Sequence, residues 1–136
     1  MKNKLVIMRP GQADETREAD LPARPGYREL VALLRPLLDD GDLEHVRVYV
    51  GARPYLGDWF YRDMFVDGEG QALLLRLAED GVSAVRDRPG KGLPRNEAAT
   101  ALYRRNVLMH EAPSDPESHP WIAGPAVFFP ERRVWF

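Results

Sequence analysis

Asp58, Asp63, Asp67 and Glu69 form the densest group of acidic side chains in the chain. Carboxylate oxygens gathered in this way suit a hard cation such as calcium or magnesium. A structural reading competes with this one. Asp67-Gly68-Glu69-Gly70 has the composition of a tight turn, and Asp63 and Asp67 would then be surface positions on one face of the strand entering it. A calcium loop carries more oxygen donors at alternating positions. The turn is therefore preferred, and no metal site is assigned.

The three histidines are His45, His110 and His119. Imidazole is a common zinc ligand, so His110, Glu111 and His119 invite a metal-site reading. Their spacing does not match two histidines one helical turn apart on a single face. His110 has a simpler reason to sit where it does, near the negative end of a helix dipole. A metal-dependent hydrolase built on Asp63, Asp67 and His110 is the weakest of the functional readings. Ser83, Ser114 and Ser118 are the only serines, and none lies in a nucleophile-elbow motif. The chain has no cysteine, which excludes thiolate nucleophiles, disulfides and cysteine-ligated metal. The glycines are too sparse for a phosphate-cradling loop. No catalytic residue and no cofactor is expected.

Two constellations suit binding. Arg95, Arg104 and Arg105 can form a basic face around a helix, suited to phosphate or nucleic acid. Glu97 and Glu111 dilute that face, and the formal net charge of −2 argues against a broadly phosphate-seeking surface. Of 19 basic residues 16 are arginine, but they are spread along the chain rather than gathered on one element. The second constellation is aromatic: Trp121, Phe128, Phe129, Trp135 and Phe136. Aromatic surface that a small sheet leaves uncovered makes a protein–protein contact or a homodimer interface, and covered it is core. Trp121, Phe129, Trp135 and Phe136 are the candidate interface residues.

These residues must be held by a fold. The length of 136 residues fits a single domain able to bury a core. Leu5-Val6-Ile7 predicts a first strand, and residues 11–25 read as loop. Gly26 to Asp40 carries one broad apolar face and predicts a helix, kinked or restarted at Pro36. Val46, Val48 and Val50 alternate with polar neighbours, the period-two signature of a strand. A second strand over 59–66 should pair with it antiparallel. Residues 71–80 are ambiguous, with leucine, alanine and glutamate favouring helix. Asn96 predicts a helix N-cap, with the helix running to about His110. Asp115-Pro116-Glu117 suits a single helical turn. Residues 122–129 read as a strand buried on both faces, with Val134–Phe136 returning as its partner.

Three segments, taken in order, resemble a known family. They are Asp63–Asp67, Leu93-Pro94-Arg95-Asn96-Glu97-Ala98-Ala99-Thr100-Ala101-Leu102-Tyr103, and Ile122-Ala123-Gly124-Pro125-Ala126-Val127-Phe128-Phe129. Together they are similar to the small bacterial, phage and plasmid proteins known as domain of unknown function 3846, over roughly residues 60–136. The resemblance implies an accessory protein of mobile elements and brings no catalytic residues with it. The stretch 71–92 departs from the family pattern and reads as an insertion.

The expected fold is α+β, a small mostly antiparallel sheet with two main helices on one face, in the order β-α-β-β-(variable)-α-β-β. The expected function is a non-enzymatic protein-interaction domain with an unknown protein partner or a second copy of itself. Nucleic-acid binding through Arg95, Arg104 and Arg105 is the alternative. No apolar run approaches the ~20 residues of a membrane span, and a cytoplasmic protein is expected.

Overall fold

The computed structural model describes residues 2–49, 61–71, 73–77, 84–110 and 121–136, with backbone alone at 49, 73–77, 84–88 and 105–110. Among these described residues, seven strands and two helices follow in the order β1 (Lys2–Met8), β2 (Glu15–Asp20), α1 (Tyr27–Leu37), β3 (Leu43–Tyr49), β4 (Tyr61–Asp67), β5 (Leu73–Leu77), β6 (Ala84–Pro89), α2 (Glu97–His110) and β7 (Ala126–Phe128). Five strands make one antiparallel sheet in the order β2-β1-β7-β4-β3. The expected α+β class holds.

The centre of the sheet is β7, only three residues long and hydrogen-bonded on both sides. Val127 lies opposite Ile7 of β1 and opposite Phe65 of β4. Because side chains alternate along a strand, the sheet has two distinct faces. Leu5, Ile7, Phe65 and Val127 pack with Leu30, Leu34 and Leu38 at α1. Met8, Val48, Met64, Val66, Ala126 and Phe128 pack with Ala99, Leu102 and Tyr103 of α2. The two helices therefore cover opposite faces, which corrects the expectation of both on one side. The physical reason is visible in β4 and β7, whose consecutive residues Met64, Phe65 and Val66, and Ala126, Val127 and Phe128, are all buried. Strands apolar on both faces need cover on both.

Other expectations also change. Residues 15–20, taken as loop, form the edge strand β2. Their Glu-Thr-Arg-Glu-Ala-Asp sequence has no apolar alternation, since an outer strand needs only one paired edge and charges there discourage further pairing. Residues 73–77, ambiguous in the sequence with composition favouring helix, form β5, which pairs with β6 in a separate two-stranded sheet. A short leucine run does not distinguish strand from helix by periodicity. Val134–Phe136 forms no strand, and its backbone bonds go to a side chain instead. Pro36 falls inside the last turn of α1, and Leu38 still donates to the Leu34 and Arg35 carbonyls.

The helix α2 begins as expected. Asn96 Oδ1 accepts from the Ala99 N–H at 3.1 Å, and Nδ2 donates to the carbonyls of Met8 and Gly124 at 2.9 Å each. One buried amide thus ties the helix to β1 and to the segment before β7. Gly124, at φ +84°, lies under Leu93, where a Cβ would fall 2.6 Å from Leu93 Cδ1. The distinctive Leu-Pro-Arg-Asn and Gly-Pro steps are joined by packing. The single turn expected at 115–117 lies outside the described residues. None of the described helices is long and apolar enough to cross a membrane.

Candidate interaction surface

On the α1 face, alternation places Tyr61, Asp63 and Phe65 of β4 in a row, opposite the β3 residues Tyr49, Arg47 and His45. Asp63 is fully buried at 0% exposure. It stays charged there by accepting from every side. Its Oδ1 meets His45 Nε2 at 2.6 Å, and its Oδ2 accepts the backbone N–H groups of Val134 at 2.6 Å and Trp135 at 3.1 Å. Burial pushes this carboxyl up, but the His45 contact, the two N–H groups and the His45 charge together hold it below the ordinary carboxylate range.

The chain leaving β7 is thereby strapped across the sheet. Phe129 N–H donates to the Asp63 carbonyl at 2.9 Å, and the strap returns to the Asp63 carboxylate at residues 134 and 135. This fixes Trp135. Its ring stacks on His45 at 5.1 Å and 17° and meets Phe65 edge-on at 5.9 Å. Tyr27, at the start of α1, stands edge-on to the same indole at 6.3 Å. The outcome is a cleft of about 240 Å³ lined by Pro25, Tyr27, Leu30, Trp135 and Phe136.

Guanidinium groups line its border. Arg24 lies over the Phe136 ring at 4.9 Å. Arg133 lies over Tyr61 at 4.1 Å and reaches Phe136 at 5.5 Å, and Arg47 covers Tyr61 at 4.9 Å. Cations and rings alternate from Arg47 through Tyr61, Arg133 and Phe136 to Arg24. Each guanidinium gains a cation–π contact of about 0.5–1 kcal/mol at such exposed sites.

The residues singled out for an interface separate. Trp135 and Phe136 meet at the cleft, Phe136 being 61% exposed. Phe129 is 1% exposed and packs on Phe65 at 5.9 Å, so it is core and not contact surface. Phe128 is core too, against α2. Trp121 is 40% exposed but accompanies the α2 face, where its carbonyl accepts from Gln71 Nε2 and its ring lies 5.9 Å from the Arg95 guanidinium.

The acidic group is also rearranged. Asp63 and Asp67, expected at the surface, are both buried. Asp67 Oδ1 accepts from the N–H groups of Asp42 at 3.1 Å and Glu69 at 2.9 Å, and Oδ2 pairs with Lys91 Nζ at 2.5 Å. These bonds engage both carboxylate oxygens and fasten the turn. Asp58, Glu111, His119 and the three serines lie outside the described residues, as does the side chain of His110. Among the described residues no three histidine, cysteine or acidic side chains converge as a metal site would require.

Of the expected arginine face, the side chains of Arg95 and Arg104 are described. Arg95 Nε pairs with Glu97 at 3.0 Å. Arg104 is half-buried, with Nε and Nη2 covered, rather than standing out from the helix. The Arg105 side chain lies outside the described residues.

Sequence reasoning missed Arg24, Tyr27, Arg133 and His45. Arg24 lies in the predicted loop and Tyr27 in the first turn of the predicted helix, and nothing local marks them as neighbours of residues more than 100 positions away. His45 carried no such signal, since alternation places it with Arg47 on the face opposite Val46 and Val48. Compared with protein-family models, curated proteins and solved structures, the chain matches none.

Proposed function

We propose that this protein is a non-enzymatic interaction domain whose contact surface is the cleft between the start of α1 and the C-terminal strap. One observation carries the proposal: two of the three exposed large apolar side chains among the described residues, Tyr27 at 64% and Phe136 at 61%, converge on a single concave site. Aromatic anchors bordered by arginine are the composition of interface centres. A cleft of about 240 Å³ accepts one or two apolar side chains from an extended segment of another protein. The Asp63 contacts hold Trp135 in place beforehand, so little ordering remains to be done on binding.

A role as a phage or plasmid accessory protein is supported by the resemblance of residues 60–136 alone. A cytoplasmic location fits the missing cysteine and rests on nothing further.

The test is selection of displayed random dodecapeptides on the immobilised protein, alongside light scattering of the protein in solution. Peptides should be enriched, and Tyr27→Ser with Phe136→Ser should abolish their binding while circular dichroism stays unchanged. Concentration-dependent dimerisation lost in the same double variant would assign the cleft to a second copy instead. A monomer that enriches no peptide overturns the proposal.

A further inference from the structure

We infer that the cleft selects an acidic partner segment, one that places an apolar side chain between Tyr27 and Phe136 and flanking carboxylates on Arg24 and Arg133. This rests on the interaction reading above and adds the chemistry of the partner.

The argument starts from charge. Lys2, Arg9, Arg17, Lys91 and Arg95 each lie within 4 Å of a carboxylate of this chain. Arg24 and Arg133 do not; among the described residues they form no ion pair, and they lie over rings, Arg24 over Phe136 and Arg133 over Tyr61 and Phe136. Arg133 gives one donor to the Trp135 carbonyl at 3.1 Å, and its Nε is buried with no acceptor. The nearby acids are already engaged. Asp63 is consumed by His45 and the strap, and Glu29 accepts the Gly26 N–H at 3.0 Å. Among the described residues, the site thus presents two guanidinium groups beside an apolar cavity with no side-chain carboxylate paired to either.

A guanidinium stacked on a ring keeps its in-plane N–H donors, the geometry that suits a carboxylate. Phosphate on single-stranded nucleic acid is the other anion to weigh. Bases bind such surfaces by stacking on open aromatic faces. Here guanidiniums already sit over both Tyr61 and Phe136. The net charge of −2 also gives no long-range attraction for a polyanion. Carboxylates in a peptide fit better.

The enriched dodecapeptides should carry two or more aspartates or glutamates within a few residues of a tryptophan, phenylalanine or leucine. The best of them, labelled and synthesised, is then measured by fluorescence anisotropy. Arg24→Glu should weaken it about tenfold, as expected for the loss of a charge pair near 1.4 kcal/mol. Replacing the peptide's acids with their amides should weaken it similarly. A peptide with lysine in place of one acid should recover part of the loss against Arg24→Glu. Arg24 is exposed, so this variant should fold normally. Enriched peptides that need Tyr27 and Phe136 but carry no acidic excess overturn the selectivity and leave the interaction reading standing. No enrichment at all overturns both. Tighter binding of an oligothymidylate 20-mer than of the selected peptide overturns the carboxylate assignment.

Discussion

The Asp63 carboxylate sits 2.6 Å from the His45 imidazole, beneath a strap whose Val134 and Trp135 N–H groups it also accepts. One buried charge therefore joins β3, β4 and the C-terminal segment, and fixes the indole that walls the cleft. Stability and binding geometry share a residue.

Asp63→Asn tests that sharing. An asparagine oxygen in the place of Oδ2 can still accept both strap N–H groups while the amide nitrogen turns to His45, so what is lost is the charge behind all three bonds. Hydrogen bonds to a charged group contribute about 1.5–3 kcal/mol against about 0.5–1.5 for neutral ones, and urea denaturation should show a loss of about 1–3 kcal/mol. The pH dependence has a definite sign. A carboxyl held below its ordinary value of 3.8 in the folded state stabilises the fold above that value. The contribution is lost as pH falls through the lower, folded-state pKa. The gap between wild type and Asp63→Asn should be widest near neutrality and should shrink in acid. A gap that grows on acidification contradicts the assignment.

Gly41 and Gly68 make an internal control around Asp67. A Cβ on Gly41 would lie 2.5 Å from Asp67 Oδ2 and 2.6 Å from its Cγ, and that buried carboxylate is held by Lys91 and two backbone N–H groups. A Cβ on Gly68 would meet Glu44 Oε2 at 3.1 Å, the far end of an exposed side chain that can move. Gly41→Ala should cost about 1–3 kcal/mol by displacing the carboxylate, and Gly68→Ala markedly less. Thermal melts that rank the two the other way would sink the account.

Asn96 makes two kinds of bond, and two variants separate them. Asn96→Asp keeps the oxygen that caps α2 but turns the amide donor into an acceptor facing the Met8 and Gly124 carbonyls. Asn96→Ser keeps a cap and leaves those carbonyls without a donor. Loss of a cap alone costs about 0.5–2 kcal/mol. If the tie between helix and sheet matters more than the cap, Asn96→Asp is at least as damaging as Asn96→Ser at pH 7. Chemical denaturation of both gives the order. A nearly wild-type Asn96→Asp would reduce the residue to a simple helix cap.

What could be read in advance follows from where each signal is stored. The alternation of Val46 and Val48, the Asn96 cap and the apolar run 122–129 are local, and β3, α2 and the buried segment around β7 appear where they should. The same apolar run, with Met64-Phe65-Val66, already implied cover on both faces, so the opposed helices were legible and overlooked. Edge strand β2 was not legible, since its charged residues carry no periodic signal. Asp63 and Asp67 looked like surface acids because their partners are remote: His45 lies 18 positions from Asp63, Val134 lies 71, and Lys91 lies 24 from Asp67. The cleft was half visible. Trp135 and Phe136 advertised themselves, whereas Arg24 and Tyr27 join them only through tertiary packing.

The β5–β6 hairpin leaves and rejoins the rest of the chain at one place. Lys91 N–H donates to the Glu69 carbonyl at 2.8 Å, and Leu93 N–H to the Gly70 carbonyl at 2.7 Å. The hairpin's strands pair only with each other, apart from the five-stranded sheet. Excising residues 72–89 and joining Gln71 to Gly90 should therefore leave both cores and the cleft in place, because shortening a loop whose ends already meet carries little entropic penalty. The shortened protein should unfold cooperatively, within about 1–2 kcal/mol of the full chain, and bind the same selected peptides. An unfolded product would mean that the hairpin supports the sheet through contacts of its own. A folded product that no longer binds would move the contact surface away from Tyr27 and Phe136 and onto the hairpin.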